Sequence, residues 1–187
     1  AMMPAEAKEL DVPFSMCGSL VCAYSDEEIL HLEKLLARGN ANGVPDLRIV
    51  GQDELRSMEP NISPDAVAAL WAPTAGIVCP YELCIAACEH AAINGTEFYL
   101  NFCVNSITKE DGVFAISDGS NTVYAKYLVN ACGVHSDEIA RIAGEQSFPI
   151  RIIPRRGEYM LLDNECGGFT KRTIFHTPTK MGKGVLV

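Results

Sequence analysis

Residues 127–144 are the most informative stretch of the chain for candidate ligand-binding chemistry: Tyr-Leu-Val-Asn-Ala-Cys-Gly-Val-His-Ser-Asp-Glu-Ile-Ala-Arg-Ile-Ala-Gly. An apolar strand runs into a small-residue turn and then directly into a helix. Ala131, Cys132 and Gly133 keep the turn thin, so a flat ligand can approach the backbone closely. Ser136 and Asp137 fall where a helix start wants side-chain oxygens. The helix N-terminus offers free N–H groups to oxygen-rich ligands. The same pattern also suits an ordinary strand–turn–helix of an α/β sheet. Two basic groups follow. One is Arg155-Arg156-Gly157-Glu158-Tyr159; the other is His176-Thr-Pro-Thr-Lys180-Met-Gly-Lys183-Gly184. Lys and Arg beside Gly and Thr can hold a carboxylate or phosphate, or be solvated loop charges. His176 follows Thr173-Ile-Phe175 and can act as a general base near neutral pH, or as a hydrogen-bonded structural residue. His135 has the same two readings.

The elements that must position these groups alternate along the chain. Ser25-Asp-Glu-Glu28 is a capping box. It opens a helix with Ile29, Leu32, Leu35 and Leu36 on one face, ending near Gly39 or Gly43. Leu47–Val50 reads as a strand. A helix starts at Gln52 and stops before Pro60, and Ala66–Trp71 reads as a further strand. Pro80 begins a helix through His90 to Ile93, closed by Asn94-Gly95. Strands are expected over Phe98–Ile107, Val113–Ile116 and Val123–Val129, with turns at Asp111-Gly112 and Asp118-Gly119. A helix covers Ser136–Ala143, and strands cover Gly157–Leu162 and Ile174–His176. The chain closes on the apolar run Gly184-Val-Leu-Val187. The class is α+β (α/β), with a mixed β-sheet.

Composition narrows the function classes. The 187 residues are 48% hydrophobic and 21% charged, which is a globular balance. A net charge of −9 without a basic stripe argues against nucleic acid as a partner. No run of 18 apolar residues suggests a transmembrane helix. The eight cysteines form no C-x-x-C pair and no zinc spacing. Cys84 and Cys88 lie one helical turn apart near His90; they read as small hydrophobes rather than metal ligands. Most cysteines sit in apolar runs, so buried, reduced thiols in a cytoplasmic protein are expected. There is no G-x-G-x-x-G, no G-x-x-x-x-G-K-[ST], no G-x-S-x-G and no H-E-x-x-H.

Three segments together resemble one family. They are Gly76-Ile-Val-Cys-Pro80-Tyr-Glu-Leu83 with its helix and Asn94-Gly95; Tyr127-Leu-Val-Asn-Ala-Cys-Gly133 with Ser136-Asp137; and Pro154-Arg-Arg-Gly-Glu-Tyr159 continued by Thr177–Val187. The sequence is similar to the FAD-dependent oxidoreductases of the D-amino-acid oxidase and glycerol-3-phosphate dehydrogenase superfamily. The Thr177–Val187 run resembles the soluble glycerol-3-phosphate dehydrogenase/oxidase branch.

The resemblance implies a substrate domain from residues 1–77 and 148–187, with 78–147 forming part of a Rossmann-like FAD-binding domain. FAD contacts map to Val104 and to Asn130, Ala131, Cys132 and Gly133. The segment after Arg156-Gly157 runs toward the flavin, placing Gly157 with the cofactor and Arg156 with the substrate. Lys180 is the expected anchor for an anionic small molecule, and His176 the candidate catalytic base. The family's N-terminal βαβ unit with its Gly-rich loop is not in this sequence. An internal piece of a longer enzyme is therefore expected, one that does not retain FAD and can self-associate through uncovered apolar faces. The implied reaction oxidises sn-glycerol 3-phosphate to dihydroxyacetone phosphate. The alternatives are oxidation of a 2-hydroxy acid such as L-2-hydroxyglutarate, or a non-catalytic binding domain.

Overall fold

The computed structural model describes residues 2–144 and 150–178. In chain order, the first elements are α1 (Met3–Glu9), β1 (Phe14–Ser15), β2 (Ser19–Ala23), α2 (Asp26–Ala41), β3 (Arg48–Gly51), α3 (Gln52–Met58), β4 (Ala68–Ala72), β5 (Ile77–Val78) and α4 (Pro80–Ile93). Then follow β6 (Ser106–Glu110), β7 (Val113–Ser117), β8 (Thr122–Ala125), α5 (Ser136–Ile142) and β9 (Thr173–His176). The chain divides into two compact units, Ala1–Gly95 with Leu162–Val187, and Thr96–Leu161.

The first unit is built on a mixed sheet in the order β3-β4-β2-β9. β2 pairs antiparallel with β4 (Ser19 opposite Ala72) and parallel with β9 (Ser19 opposite Thr173). Helices cover both faces. Leu32 of α2 packs with Ala23, Ala68 and Leu70 on one face. Leu55 of α3 packs with Leu20, Cys22, Val50, Ala69 and Ile174 on the other. Each large aliphatic side chain so buried contributes about 1.5–3 kcal/mol. The alanines of β4 let the helices approach closely.

The cap of α2 forms as its sequence predicts, with one shift. The Glu28 N–H donates to Ser25 Oγ at 3.3 Å. Glu28 Oε2 reaches one residue further back than the motif requires and accepts from the Tyr24 N–H at 2.8 Å. The chain-entry residue is thereby fixed as well as the helix end.

The second unit is the antiparallel meander β6-β7-β8, followed by the turn into α5. Asp111-Gly112 makes a two-residue hairpin turn with φ of 51° and 81°, the combination a primed turn needs. At the next turn Asp118 Oδ1 accepts from the Ser120 and Asn121 N–H groups at 2.8 and 2.7 Å. These bonds hold the Asp118 carboxyl below its usual range.

Several expectations are corrected. The predicted strand Phe98–Ile107 starts only at Ser106, because Asn101 adopts φ 58° and breaks the extended run. The predicted strand Val123–Val129 stops at Ala125, and Gly157–Leu162 forms no strand. Both lack a neighbouring strand to pair with among the described residues, and β propensity alone does not make a strand. The sequence reading missed α1, β1, β2 and β5. Buried thiols are also corrected: Cys22 alone is buried, Cys17 and Cys79 are intermediate, and the other five are exposed. The terminal run Gly184–Val187 lies outside the described residues.

Candidate functional site

The turn at 130–133 is built by Asn130. Its Nδ2 donates across the turn to Ser136 O at 2.8 Å, and its Oδ1 accepts from the Cys132 N–H at 3.3 Å. A 3-10 turn, Gly133–His135, then leads into α5. Gly133 has φ 57°, a left-handed conformation that favours glycine. A Cβ built there would meet no atom within 4 Å, so the outer side of the turn is open. Ala131, Cys132 and Gly133 are all exposed. This open, thin backbone fits the edge of a large planar cofactor such as FAD. The predicted strand before it is absent: Tyr127 and Val129 are 88% and 85% exposed.

Asp137 does not cap α5. It accepts from the Ile152 N–H at 3.1 Å and the Glu138 N–H at 3.0 Å. The first of these bonds is the larger cause of its lowered pKa. It ties the segment Ile150–Ile153 to the helix. Val104 is half-buried in the irregular segment before β6. Arg156 and Gly157 lie in an irregular, exposed segment, where Arg156 Nε is 3.6 Å from Glu158 Oε1. Val104, Asn130–Gly133, Arg156 and Gly157 thus all belong to the second unit.

His176 belongs to the first unit, at the end of β9 opposite Cys22. Its ring stacks on Tyr24 at 4.6 Å between centroids, with 23° between the planes. Burial, followed by the charges nearby, raises the Tyr24 phenol above its ordinary value, so it stays neutral beside the imidazole. Burial, and then the Glu59 charge, push the Cys22 thiol up to about 11, which leaves it unreactive. Thr177 is buried, and Pro178 borders a cleft of about 240 Å³ with His31, Lys34, Leu35 and Arg38 of α2. Lys180 lies outside the described residues. Among the described residues no group of His, Cys, Asp or Glu side chains could hold a metal ion. No helix among them is long and apolar enough to cross a membrane.

Sequence reasoning missed a polar cluster at the entrance to β9. Glu59, 1% exposed, accepts from the Lys171 N–H through both carboxylate oxygens, at 3.2 and 3.0 Å. Arg172 Nη1 donates to Glu59 Oε1 at 3.1 Å and to Met58 O at 2.8 Å. The Arg172 guanidinium lies over the Trp71 ring at 5.1 Å. No periodicity marks a contact that joins residues 112 and 113 positions apart.

Comparison with known proteins places the chain in one family. The DAO family profile, described as FAD dependent oxidoreductase, matches residues 3–187. A glycerol 3-phosphate dehydrogenase of Caloramator mitchellensis is 43% identical over 180 residues, covering 96% of this chain and 37% of that protein. An L-2-hydroxyglutarate dehydrogenase of Indibacter alkaliphilus is 31% identical over 172 residues, covering 91% and 42%. This chain therefore spans less than half the length of either relative. Two solved structures share the fold. L-proline dehydrogenase from P. horikoshii superposes with a TM-score of 0.78 at 19% identity, covering 100% of this chain and 53% of that one. L-alpha-glycerophosphate oxidase from Mycoplasma pneumoniae, solved with FAD bound, gives 0.76 at 22% identity, covering 99% and 51%. With the profile matched from residue 3 to the last residue, this chain belongs to the DAO family of FAD-dependent oxidoreductases.

Proposed function

We propose that the protein carrying this chain is an FAD-dependent glycerol-3-phosphate dehydrogenase or oxidase. The observation that carries this reading is the 43% identity over 96% of the chain to a glycerol 3-phosphate dehydrogenase. The L-2-hydroxyglutarate dehydrogenase named above stands at 31%, so a 2-hydroxy acid is the second reading.

FAD bound to these residues would supply the hydride-accepting chemistry for oxidation at the substrate's carbinol carbon. The chain's own residues bind and orient. Asn130, Ala131, Cys132 and Gly133, with Val104, line the adenosine side of the cofactor, and Gly157 allows close approach to the flavin. Lys180 is the candidate anchor for the substrate's anionic group, and Arg156 a second candidate, each by charge-assisted bonds. His176, stacked on Tyr24, is the candidate base for the hydroxyl proton. In domain terms, residues 1–77 and 148–187 serve the substrate and 78–147 the cofactor. A cytoplasmic, self-associating enzyme with a small anionic substrate completes the reading.

The test is anaerobic flavin reduction in the complete polypeptide, with glycerol 3-phosphate and L-2-hydroxyglutarate compared side by side. Bleaching of the flavin by glycerol 3-phosphate alone is the expected outcome. Bleaching by the hydroxy acid alone moves the assignment to the second reading. The isolated chain, lacking a Gly-rich pyrophosphate loop, is expected to purify colourless; a yellow preparation contradicts that.

A further inference from the structure

Residues 150–161 run toward the cofactor in the reading above, yet no strand among the described residues pairs with them. Their start is tied down by a side chain of α5. Asp137 Oδ2 accepts from the Ile152 N–H at 3.1 Å, across 15 positions of sequence. Asp137 is the second residue of α5, where any carboxylate gains from the helix dipole. A purely local role would leave both oxygens to the first turn of the helix. Instead Oδ1 takes the neighbouring Glu138 N–H at 3.0 Å, and Oδ2 reaches out of the helix to Ile152.

α5 does not supply rigidity of its own. It has seven residues and buries none of them, and so short a helix is marginal without packing. Ile152 is half-buried, whereas Ile150 and Ile153 beside it are 66% and 76% exposed, so packing adds little there as well. Hydrogen bonds carry the order instead. Asn130 Nδ2 donates to Ser136 O, one residue before Asp137, while Asn130 Oδ1 accepts from the Cys132 N–H. A continuous series of contacts therefore runs from the turn at 130–133 through Asn130, Ser136 and Asp137 to Ile152, four residues before Arg156. All of these residues lie in the second unit.

We propose that Asp137 is a positioning residue: its carboxylate carries the position of the Asn130–Gly133 turn to Ile152, and so couples the site for the cofactor's adenosine part to the segment that continues through Arg156-Gly157. The inference rests on the cofactor reading above. A ligand seated on the turn steadies the segment at Ile152. FAD, which meets both places, gains affinity from their being held together beforehand.

The experiment uses the complete polypeptide, as wild type and as Asp137→Asn, freed of FAD and then given either FAD or ADP. ADP carries the adenosine part without the flavin. Asparagine keeps the size of the side chain but sets an NH2 group against one of the two N–H donors. FAD affinity should fall about tenfold in the variant, with ADP affinity changed less than about twofold. In the wild type, saturating ADP should slow hydrogen exchange at the Ile152 amide by about fivefold, and in Asp137→Asn it should not. Exchange in β6–β8 should match in the two proteins, which establishes that the unit stays folded. An unchanged FAD affinity, equal losses of FAD and ADP affinity, or the same ADP protection of Ile152 in both proteins overturns the proposal. ADP that protects the Cys132 and Gly133 amides of the wild type but not Ile152 overturns it as well, whatever the variant does, and leaves the cofactor reading intact. ADP that protects neither sinks the cofactor reading of the turn, and the proposal with it.

Discussion

The two units use the same kinds of residues to different effect. In the first, Leu20, Leu32 and Leu55 are fully buried between the sheet and its two helices. In the second, Tyr159, Met160 and Leu161 are 82%, 94% and 97% exposed. Residue type does not separate these sets; the availability of a partner does. β2 has strands on both sides and a helix on each face. The segment at 157–162 has none of these among the described residues. α4 makes the same point within the first unit: it is rich in apolar residues, yet buries none of them. A helix apolar on all sides normally belongs inside a larger assembly of elements.

The contrast can be broken most directly by paired truncations. Leu55→Ala should cost about 2–5 kcal/mol, while Leu161→Ala should stay within about 0.5 kcal/mol in the same chain. Denaturant titrations of both variants test this; equal losses would mean the exposed segment packs as tightly as the core.

A smaller effect is expected at Gly18, where φ is 75° and a Cβ would lie 1.9 Å from Trp71 Cη2. Gly18→Ala should destabilise by about 1–3 kcal/mol through strain and displacement of the ring. Thermal melts followed by Trp fluorescence report it, since Trp71 is the one tryptophan. An unshifted melt and emission would show that the ring is not held against the glycine.

The smallest effect belongs to the cap. Ser25→Ala should cost about 1 kcal/mol. Exchange at the Glu28 amide, which donates to Ser25 Oγ, should speed up while β6–β8 stays unchanged. Faster exchange in the meander would erase the distinction between the units.

Which features were legible follows from the range of the interactions. The Ser25 cap, the Asp111-Gly112 hairpin and the start of α4 at Pro80 are decided within a few residues, and each forms as its local sequence predicts. The thin turn at Asn130–Gly133 was legible for the same reason. The strand residues expected at 98–105 and 126–129 were not, because pairing depends on a distant partner that local propensity cannot reveal. Glu59 was the least legible of all. It looks like one more acidic residue before a proline, and its partners stand 112 and 113 positions away. Of the site, His176 falls on its predicted strand, whereas Lys180 lies outside the described residues.

That separation also sets a timetable for biosynthesis. With 112 residues between Glu59 and the Lys171 amide, synthesis at about 5–20 residues per second leaves an interval of roughly 6–22 s. Once β4 is made, the nascent chain has β2, β3 and β4 for most of that time but no β9 to flank β2. Glu59 must remain hydrated until Lys171 and Arg172 emerge. The sheet is therefore sealed late, by its fourth strand, and chaperones that shield open strand edges have that window in which to act.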